Sequence, residues 1–132
     1  MKISTKGRYA LTIMRNIAKE YDKDEFISLS EISERENISL KYLEKIMISL
    51  KKADFFIVAK GKEGGYKLKR KPEEYSIGEI IRAADEELDV VSCIKNEKQC
   101  PVKTKCKTYS LWKELSDEIN NFLDNKCLKD YL

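Results

Sequence analysis

Apolar residues in the first half of the chain recur at helical spacing, and this periodicity limits the folds that the chain can adopt. Between residues 5 and 21 they follow one another at i, i+1, i+4, i+5, i+8 and i+9, as in an amphipathic helix. These residues are Tyr9, Ala10, Ile13, Met14, Ile17 and Ala18. A capping-box pattern at 28–31 predicts a short second helix that ends near Asn37. Ser39 is the predicted N-cap of a third helix that runs to about Ala53.

A β-hairpin is predicted directly after the third helix. The β-prone run 55–58 is followed by the turn-forming segment 61–65, and residues 66–69 alternate apolar and polar. Two helices joined by a brief turn and followed by a basic hairpin are the elements of a winged helix-turn-helix. The sequence therefore predicts a mainly α fold with a small β-hairpin, in which the third helix enters the major groove of DNA.

The second half of the chain predicts two more helices with a loop between them. Ser76 caps a helix that runs through Ala84 and ends at the acidic run 85–89, and residues 93–107 show no periodicity. A strongly amphipathic helix then covers about 108–123, and its apolar face predicts packing on a second copy of the chain. We expect a winged helix-turn-helix domain (1–72), a connecting helix (73–91), a cysteine loop (92–107), and a dimerisation helix with a tail (108–132).

Composition excludes several classes of protein. A chain of 132 residues predicts one domain, and no apolar run approaches the roughly 18 residues that a membrane span needs. No secretory signal is visible at the start, so a cytoplasmic location without a membrane partner is expected. The chain has no histidine, which excludes Ser-His-Asp and Cys-His catalysis and argues against an enzyme.

The net charge of +3 conceals a partition along the chain. Residues 41–71 carry 10 basic and 3 acidic side chains, whereas residues 72–92 carry 1 basic and 7 acidic ones. On a helical wheel the lysines of the third helix lie in an arc separate from its apolar residues Leu40, Leu43, Met47 and Leu50. A basic face on the predicted recognition helix favours double-stranded DNA as the partner.

Candidate DNA contacts follow from this placement. The predicted residues are Lys6 and Arg8 near the first helix, Ser39, Lys41, Tyr42, Glu44 and Lys45 in the third, and Lys60 and Lys62 at the wing tip. Glu44 is a candidate discriminator because a carboxylate can accept a hydrogen bond from cytosine N4. The alternative for Glu44 is a helical ion pair with Lys41 or Lys45.

Three of the four cysteines lie in one lysine-rich segment. Cys93, Cys100 and Cys106 fall within 14 residues that are surrounded by lysines. Positive neighbours stabilise thiolates, which are both nucleophiles and metal ligands. An iron-sulfur cluster suits this setting, whereas the CxxC spacing typical of zinc is absent. A thiol switch and an unligated thiol cluster are the alternatives.

Several short motifs resemble the IscR-type iron-sulfur cluster regulators of the Rrf2 family of bacterial transcription factors. They are Lys6-Gly7-Arg8-Tyr9-Ala10, Ile32-Ser33-Glu34-Arg35, Ile38-Ser39-Leu40 with Tyr42-Leu43-Glu44, Gly64-Gly65-Tyr66, and Leu111-Trp112 with Leu115-Ser116-Asp117. The resemblance covers nearly the whole chain. It implies a homodimeric winged-helix regulator whose cysteine loop carries a cluster, commonly 2Fe-2S, that sets promoter choice or affinity.

The chain departs from this family pattern at the fourth cluster ligand. IscR-like members have a histidine three residues after the third cysteine, where this chain has Tyr109, and Arg8 stands where nitric-oxide-sensing relatives have an aspartate. The fourth ligand could be Tyr109, Cys127, a carboxylate of the dimer partner, or an external ligand on a 4Fe-4S cluster. The favoured cofactor is a 2Fe-2S cluster, with 4Fe-4S as the alternative.

The cysteine loop lies between the predicted DNA-binding domain and the dimerisation helix. As a hypothesis, cluster binding orders this loop and changes the half-site geometry of the dimer. Two other functions remain open: the same DNA-binding fold with a thiol-redox or zinc input, and a small iron-sulfur electron carrier. The basic face argues against the carrier, because an electron carrier has no use for it.

Overall fold

The computed structural model describes residues 3–62, 64–84, 88 and 106–132. Within these residues it contains five α-helices and one two-stranded antiparallel sheet. In chain order the elements are α1 (Thr5–Lys19), α2 (Leu29–Glu36), α3 (Leu40–Lys52), β1 (Phe56–Ala59), β2 (Gly65–Leu68), α4 (Ile77–Ala83) and α5 (Tyr109–Asp124). The predicted fold class, mainly α with a small hairpin, is confirmed. The acidic run 85–89, apart from Leu88, and most of the predicted cysteine loop lie outside the described residues.

Helix α1 contributes several buried side chains to the hydrophobic core. The Ser4 side chain caps its start by accepting a hydrogen bond from the Gly7 N–H at 3.3 Å. The predicted stripe faces inward, since Ala10, Ile13 and Met14 are fully buried. The helix ends at Lys19, two residues earlier than expected, because a 3₁₀ turn at Tyr21–Lys23 takes over.

Helices α2 and α3 form the helix-turn-helix. Ser28 and Glu31 form the predicted capping box of α2, and Asn37 ends it in the left-handed conformation at φ 54°. The Ser39 hydroxyl then caps α3 by accepting from the Tyr42 N–H at 3.4 Å. Because only three residues separate the two helices, α3 is held against α1 and α2 with its outer face exposed.

The hairpin is joined to the chain before α2. Strands β1 and β2 pair from Phe56↔Leu68 to Ala59↔Gly65, and Ile27 forms a further antiparallel bridge with Tyr66. A Cβ added at Gly65 would lie 2.5 Å from the Ile27 carbonyl oxygen, so this bridge requires glycine at position 65. The bridge fixes the wing beside the start of α2.

The core extends across the predicted boundary at residue 72. Tyr75 and Leu128 are fully buried in the same cluster as the α1 and α3 side chains. The Leu128 N–H donates to the Tyr75 carbonyl at 2.9 Å, and the Ile77 N–H donates to the Lys126 carbonyl at 2.8 Å. Residues after α5 therefore help to close the core of the winged domain.

Helix α5 packs on α4 along one side. Ile77, Ile81 and Leu88 form a small apolar cluster against which Leu123 packs, and Arg82 forms an ion pair with Asp124 at 2.9 Å. None of the helices in the described part of the chain is both long enough and apolar enough to cross a bilayer.

Candidate nucleic-acid interface and cysteine segment

The outward face of α3 forms a polar and mostly basic strip. Its apolar residues Leu43, Ile46, Met47 and Leu50 are buried in the core. The exposed residues on the opposite side, which we call the recognition strip, are Lys41, Glu44, Lys45, Ile48 and Lys52. The helical periodicity predicted this separation, because it follows from the angle between successive residues.

Leu40 departs from the expected arrangement. The helical wheel groups it with Leu43, Met47 and Leu50, which are buried, but its own side chain is 38% exposed. As the first residue of the helix, it lines a cleft between the starts of α2 and α3 and the wing, together with Glu44 and Val58. This cleft separates the recognition strip from the hairpin.

Glu44 is available to a ligand. With the rest of the described chain it forms no ion pair, so the helical pair with Lys41 or Lys45 is not formed. The carboxylate instead lines the cleft beside the wing. An exposed carboxylate among lysines can accept a hydrogen bond from a base amino group.

Tyr42 and Ser39 have structural contacts as well as positions at the start of α3. The Tyr42 ring is half-buried and meets the Tyr9 ring edge-on at a centroid distance of 5.5 Å. This contact packs α3 on α1. Ser39 is exposed and caps the helix.

Ion pairs with acidic residues neutralise some of the basic side chains between residues 41 and 71. Lys67 and Lys69 on the hairpin form ion pairs with Asp24 and Asp54, and Arg70 pairs with Glu79 at 2.7 Å. Lys60 and Lys62 at the wing tip are exposed and form no ion pair with another described residue. Positive charge open to a polyanion is therefore concentrated on the recognition strip and the wing tip.

The predicted contacts on α1 lie at its first turn. Arg8 is exposed and donates a hydrogen bond to the Thr5 hydroxyl at 3.3 Å, whereas Lys6 is half-buried. Both residues sit close to the N-terminus of the helix, where the macrodipole adds positive potential.

One of the three clustered cysteines can be described. Cys93 and Cys100 lie outside the described residues, and Cys106 is half-buried just before α5. The Cys106 Sγ lies 3.5 Å from the Thr108 hydroxyl oxygen. Hydrogen bonding by the side chain and backbone of Thr108 lowers the pKa of the Cys106 thiol. The thiolate form, which is the metal ligand and the nucleophile, is thereby favoured.

The two candidate fourth ligands lie at opposite ends of α5. Tyr109 is the first residue of this helix, whereas Cys127 follows its end and forms a β-bridge with Ser76. The 16 residues of α5 span about 24 Å at 1.5 Å per residue. Cys127 therefore cannot bind a cluster held by Cys106 of the same chain. Within the described residues, His, Cys, Asp and Glu form no group of three placed to hold a metal ion.

Helix α5 exposes an apolar face. Leu111, Leu115 and Phe122 are 40–61% exposed, and the one buried residue of the helix is Ser116. Trp112, the residue after Leu111, is half-buried. An amphipathic helix normally covers its apolar stripe.

Sequence arguments missed two features of this region. The hairpin ion pairs join residues 43 and 15 positions apart, and the Ile27 bridge to Tyr66 has no local sequence pattern. The position of Ile48, by contrast, follows from the sequence, because Ile48 falls among the lysines on the helical wheel.

Known proteins resemble this chain over its whole length. The profile of a family described as "Rrf2: Iron-dependent Transcriptional regulator" matches residues 3–132. The HTH-type transcriptional regulator IscR of Aliivibrio salmonicida is 40% identical over 132 residues, which are 100% of this chain and 77% of that protein. IscR of Pectobacterium atrosepticum is 37% identical over 98% of this chain and 78% of that protein.

Solved structures of two regulators also resemble this chain over nearly its whole length. CymR of B. subtilis, described as the global cysteine regulator, superposes with a TM-score of 0.78 at 35% identity, covering 98% of this chain and 95% of CymR. IscR of T. potens superposes with a TM-score of 0.74 at 30% identity, covering 98% and 85%. These relatives are transcriptional regulators, which confirms the expectation of a regulator rather than an enzyme. The exposed basic strip on a helix-turn-helix, the wing and these matches together show that the chain belongs to the Rrf2 family of iron-dependent transcriptional regulators.

Proposed function

We propose that the chain acts as a cytoplasmic homodimer that binds an operator through α3 and the wing, with its affinity set by the cysteine segment. The observation that carries the DNA-binding assignment is the recognition strip, which is exposed along a helix whose other side is buried. The exposed lysines of the wing tip, Lys60 and Lys62, add a second contact beside it. Major-groove contact by α3 and backbone contact by the wing follow from this arrangement.

The two kinds of contact have separate roles. Lysines of the strip contact guanine O6 and N7 or phosphate oxygens, and Glu44 accepts a hydrogen bond from cytosine N4. Lys60, Lys62, Lys6 and Arg8 contact phosphates, which supplies affinity without sequence information.

A salt series tests the DNA-binding assignment. Binding is measured by fluorescence anisotropy on a duplex selected from a random library with the wild-type protein. Lys45→Ala and Lys62→Ala should each weaken binding and reduce the slope of log K against log salt by about one. Lys19→Ala, which removes an exposed lysine at the far end of α1, is the charge-matched control. Unchanged slopes for both test variants would refute the assignment.

The exposed face of α5 supports the homodimer. Leu111, Leu115 and Phe122 present an apolar surface that a second α5 of the same kind can cover about a two-fold axis. A dimer places two copies of α3 on two half-sites, as operators with two-fold symmetry require.

Of the three proposed cysteine ligands, Cys106 lies within the described residues, and its environment suits an iron-sulfur cluster. Cys106 has a lowered thiol pKa and sits at the base of α5, so its thiolate is a suitable ligand. We propose Cys93, Cys100 and Cys106 as three ligands, with Tyr109, a partner carboxylate or an external ligand as the fourth. A 2Fe-2S cluster remains our favoured cofactor.

The position of the cysteine segment supports a switch. Residues 92–107 join α4 to α5, and the Arg82 and Leu123 contacts hold these two helices together. A ligand bound by this segment would change how α5 sits against the winged domain and so change the spacing of the two copies of α3 in the dimer.

A thiol input is the second candidate. It is favoured by the likeness to CymR of B. subtilis and to a structure described as the oxidized form of Staphylococcus aureus CymR, at 38% identity and a TM-score of 0.72. Visible absorbance of anaerobically purified protein separates the inputs, because iron-sulfur clusters are coloured whereas zinc and disulfides are not. Operator affinity of this protein is then compared with that of a Cys93, Cys100 and Cys106 triple Ala variant at one salt concentration. Equal affinities for every operator would refute control by this segment.

A further inference from the structure

Ile48 is an apolar side chain at the centre of the recognition strip. It is 61% exposed, which makes it one of the two most exposed large apolar residues in the described chain. Lys41, Glu44, Lys45 and Ile48 stand at i, i+3, i+4 and i+7 on α3. Residues at this spacing form one continuous row along a helix, and a homeodomain reads the major groove with the same spacing.

The fold gives no structural reason for isoleucine at this position. The core-facing side of α3 is already filled by Leu43, Ile46, Met47 and Leu50, and Ile48 points away from them. A β-branched residue is also a weaker helix former than alanine, lysine or glutamate at an exposed site. No described residue covers this side chain, so a partner such as DNA would supply its apolar contact.

The major groove offers one apolar group in addition to its hydrogen-bonding edges. Each A·T pair presents the C5-methyl group of thymine, which apolar side chains contact in preference to the polar edges of other bases. The other residues of the strip, three lysines and Glu44, are suited to guanine and to cytosine. Ile48 supplies the apolar contact that these residues lack.

We infer that Ile48 determines sequence specificity by packing against a thymine C5-methyl group in each half-site of the operator. This inference rests on the proposed function, in which α3 is the helix that enters the major groove. The Cα atoms of residues seven apart in a helix are separated by about 10 Å along the axis. Successive base pairs rise by about 3.4 Å, so the thymine lies within about three base pairs of the base that Lys41 contacts.

Removal of single methyl groups tests the contact directly. The duplex selected by the wild-type protein is resynthesised with each thymine in turn replaced by deoxyuridine, which removes only the C5-methyl group. The wild-type protein should lose about three- to fivefold in affinity when either thymine of one symmetry-related pair is replaced, and about ten- to twentyfold when both are, as expected for one and two buried methyl groups. Ile48→Ala loses the contact in both half-sites, so it should bind the thymine duplex about as weakly as the wild type binds the duplex with uracil at both positions. Replacing thymine by uracil at this pair should then change the affinity of the variant by less than twofold.

Two control variants distinguish a failure of the Ile48 inference from a failure of the proposed DNA-binding function. Ile57→Ala removes an exposed isoleucine on the face of β1 opposite to Phe56 and Val58, and it should keep the full dependence on the methyl group. Lys45→Ala should weaken binding to the thymine and uracil duplexes equally. If Lys45→Ala binds as the wild type does, α3 is not the recognition helix and the proposed function fails.

The inference alone is overturned by either of two results. One is an Ile48→Ala variant that retains the full methyl dependence while Lys45→Ala weakens binding. The other is a wild-type protein that is indifferent to every thymine methyl in its half-sites. Circular dichroism checks that Ile48→Ala is folded, which is expected because the side chain is exposed and alanine favours a helix.

Discussion

Tyr75 connects three parts of the fold through one side chain. Its buried hydroxyl donates to the Phe55 carbonyl at 2.8 Å and accepts a hydrogen bond from the Arg70 N–H at 3.2 Å. The Arg70 guanidinium lies 4.1 Å from the ring centroid and pairs with Glu79 on α4, which raises the pKa of Arg70. The residue before β1, the segment after β2 and the start of α4 are thereby fixed to one another.

Removing the Tyr75 hydroxyl should destabilise the protein. Tyr75→Phe removes both hydrogen bonds and leaves the Arg70 backbone N–H without its partner, whereas the Phe55 carbonyl still accepts from the Lys69 N–H at 3.1 Å. The free energy of unfolding should therefore fall by about 1–3 kcal/mol. The measurement is urea unfolding followed by circular dichroism at one protein concentration. Tyr131→Phe, at an exposed position, is the matched control and should change stability by less than about 0.5 kcal/mol. Equal stability of the two variants would contradict the role given to the hydroxyl.

Cys106 should react as a thiolate at lower pH than an ordinary cysteine. The Thr108 hydrogen bonds stabilise the charged form and lower the thiol pKa, so the thiolate is present at pH values where a free cysteine is still protonated. The rate of iodoacetamide alkylation against pH measures this in a variant whose other three cysteines are serine. Its midpoint should lie below about 8.5, the value of a free cysteine.

Thr108→Val isolates the cause of this pKa shift. The Thr108 side chain makes no capping hydrogen bond to α5, so valine removes the hydroxyl near the sulfur and leaves the helix start unchanged. The alkylation midpoint should move to higher pH in this variant. Ser110→Ala, at the exposed second residue of α5, should leave the alkylation midpoint unchanged.

At the scale of elements, the helices are determined by local signals. Serine caps occur at Ser4, Ser28, Ser39 and Ser76, each accepting a hydrogen bond from an N–H three residues later. Such caps and the apolar periodicity lie within a few residues of each other, so the sequence could predict the helices and the hairpin closely. Helix α2 has only eight residues and depends on its cap and on packing.

Loss of the Ser28 cap should destabilise α2 specifically. The Ser28 hydroxyl accepts from the Glu31 N–H, and the Glu31 carboxylate accepts from the Ser28 N–H, both at 3.2 Å. Ser28→Ala should lower the free energy of unfolding by about 0.5–2 kcal/mol. Ser30→Ala, two residues further along on an exposed position, should be close to neutral. A cost for Ser30→Ala equal to that for Ser28→Ala would show that the cap is not the cause.

Contacts between distant residues could not be predicted from the sequence. The bridge between Ile27 and Tyr66 and the burial of Leu128 beside Tyr75 depend on how the chain folds back on itself. The same holds for the candidate site. The face of α3 followed from periodicity, but the pairing of Lys67 and Lys69 with acidic residues required the three-dimensional fold.

At the scale of the whole molecule, the winged domain has a buried core, whereas α5 leaves one apolar face exposed to solvent. Residues after α5 complete the core through Leu128, whereas Leu111, Leu115 and Phe122 of α5 remain exposed. The same helix is joined to α4 by Arg82, Asp124 and Leu123. In the proposed dimer, a change in how two copies of α5 pack would therefore reach the winged domains through these contacts with α4.

Charge on the exposed face of α5 should separate the dimer without unfolding the domain. Leu111→Glu combined with Leu115→Glu places two carboxylates per chain where the proposed interface is apolar, and like charges meet across a two-fold axis. Sedimentation velocity should show a dimer for the wild-type protein and a monomer for the double variant. Because a dimer holds two half-sites at once, affinity for the complete operator should fall at least tenfold, whereas affinity for a single half-site should stay within about twofold. Asp117→Asn, at an exposed position about 120–160° around α5 from Leu111, Leu115 and Phe122, should remain a dimer. A monomeric wild-type protein, or a double variant that stays dimeric, would exclude this face as the interface.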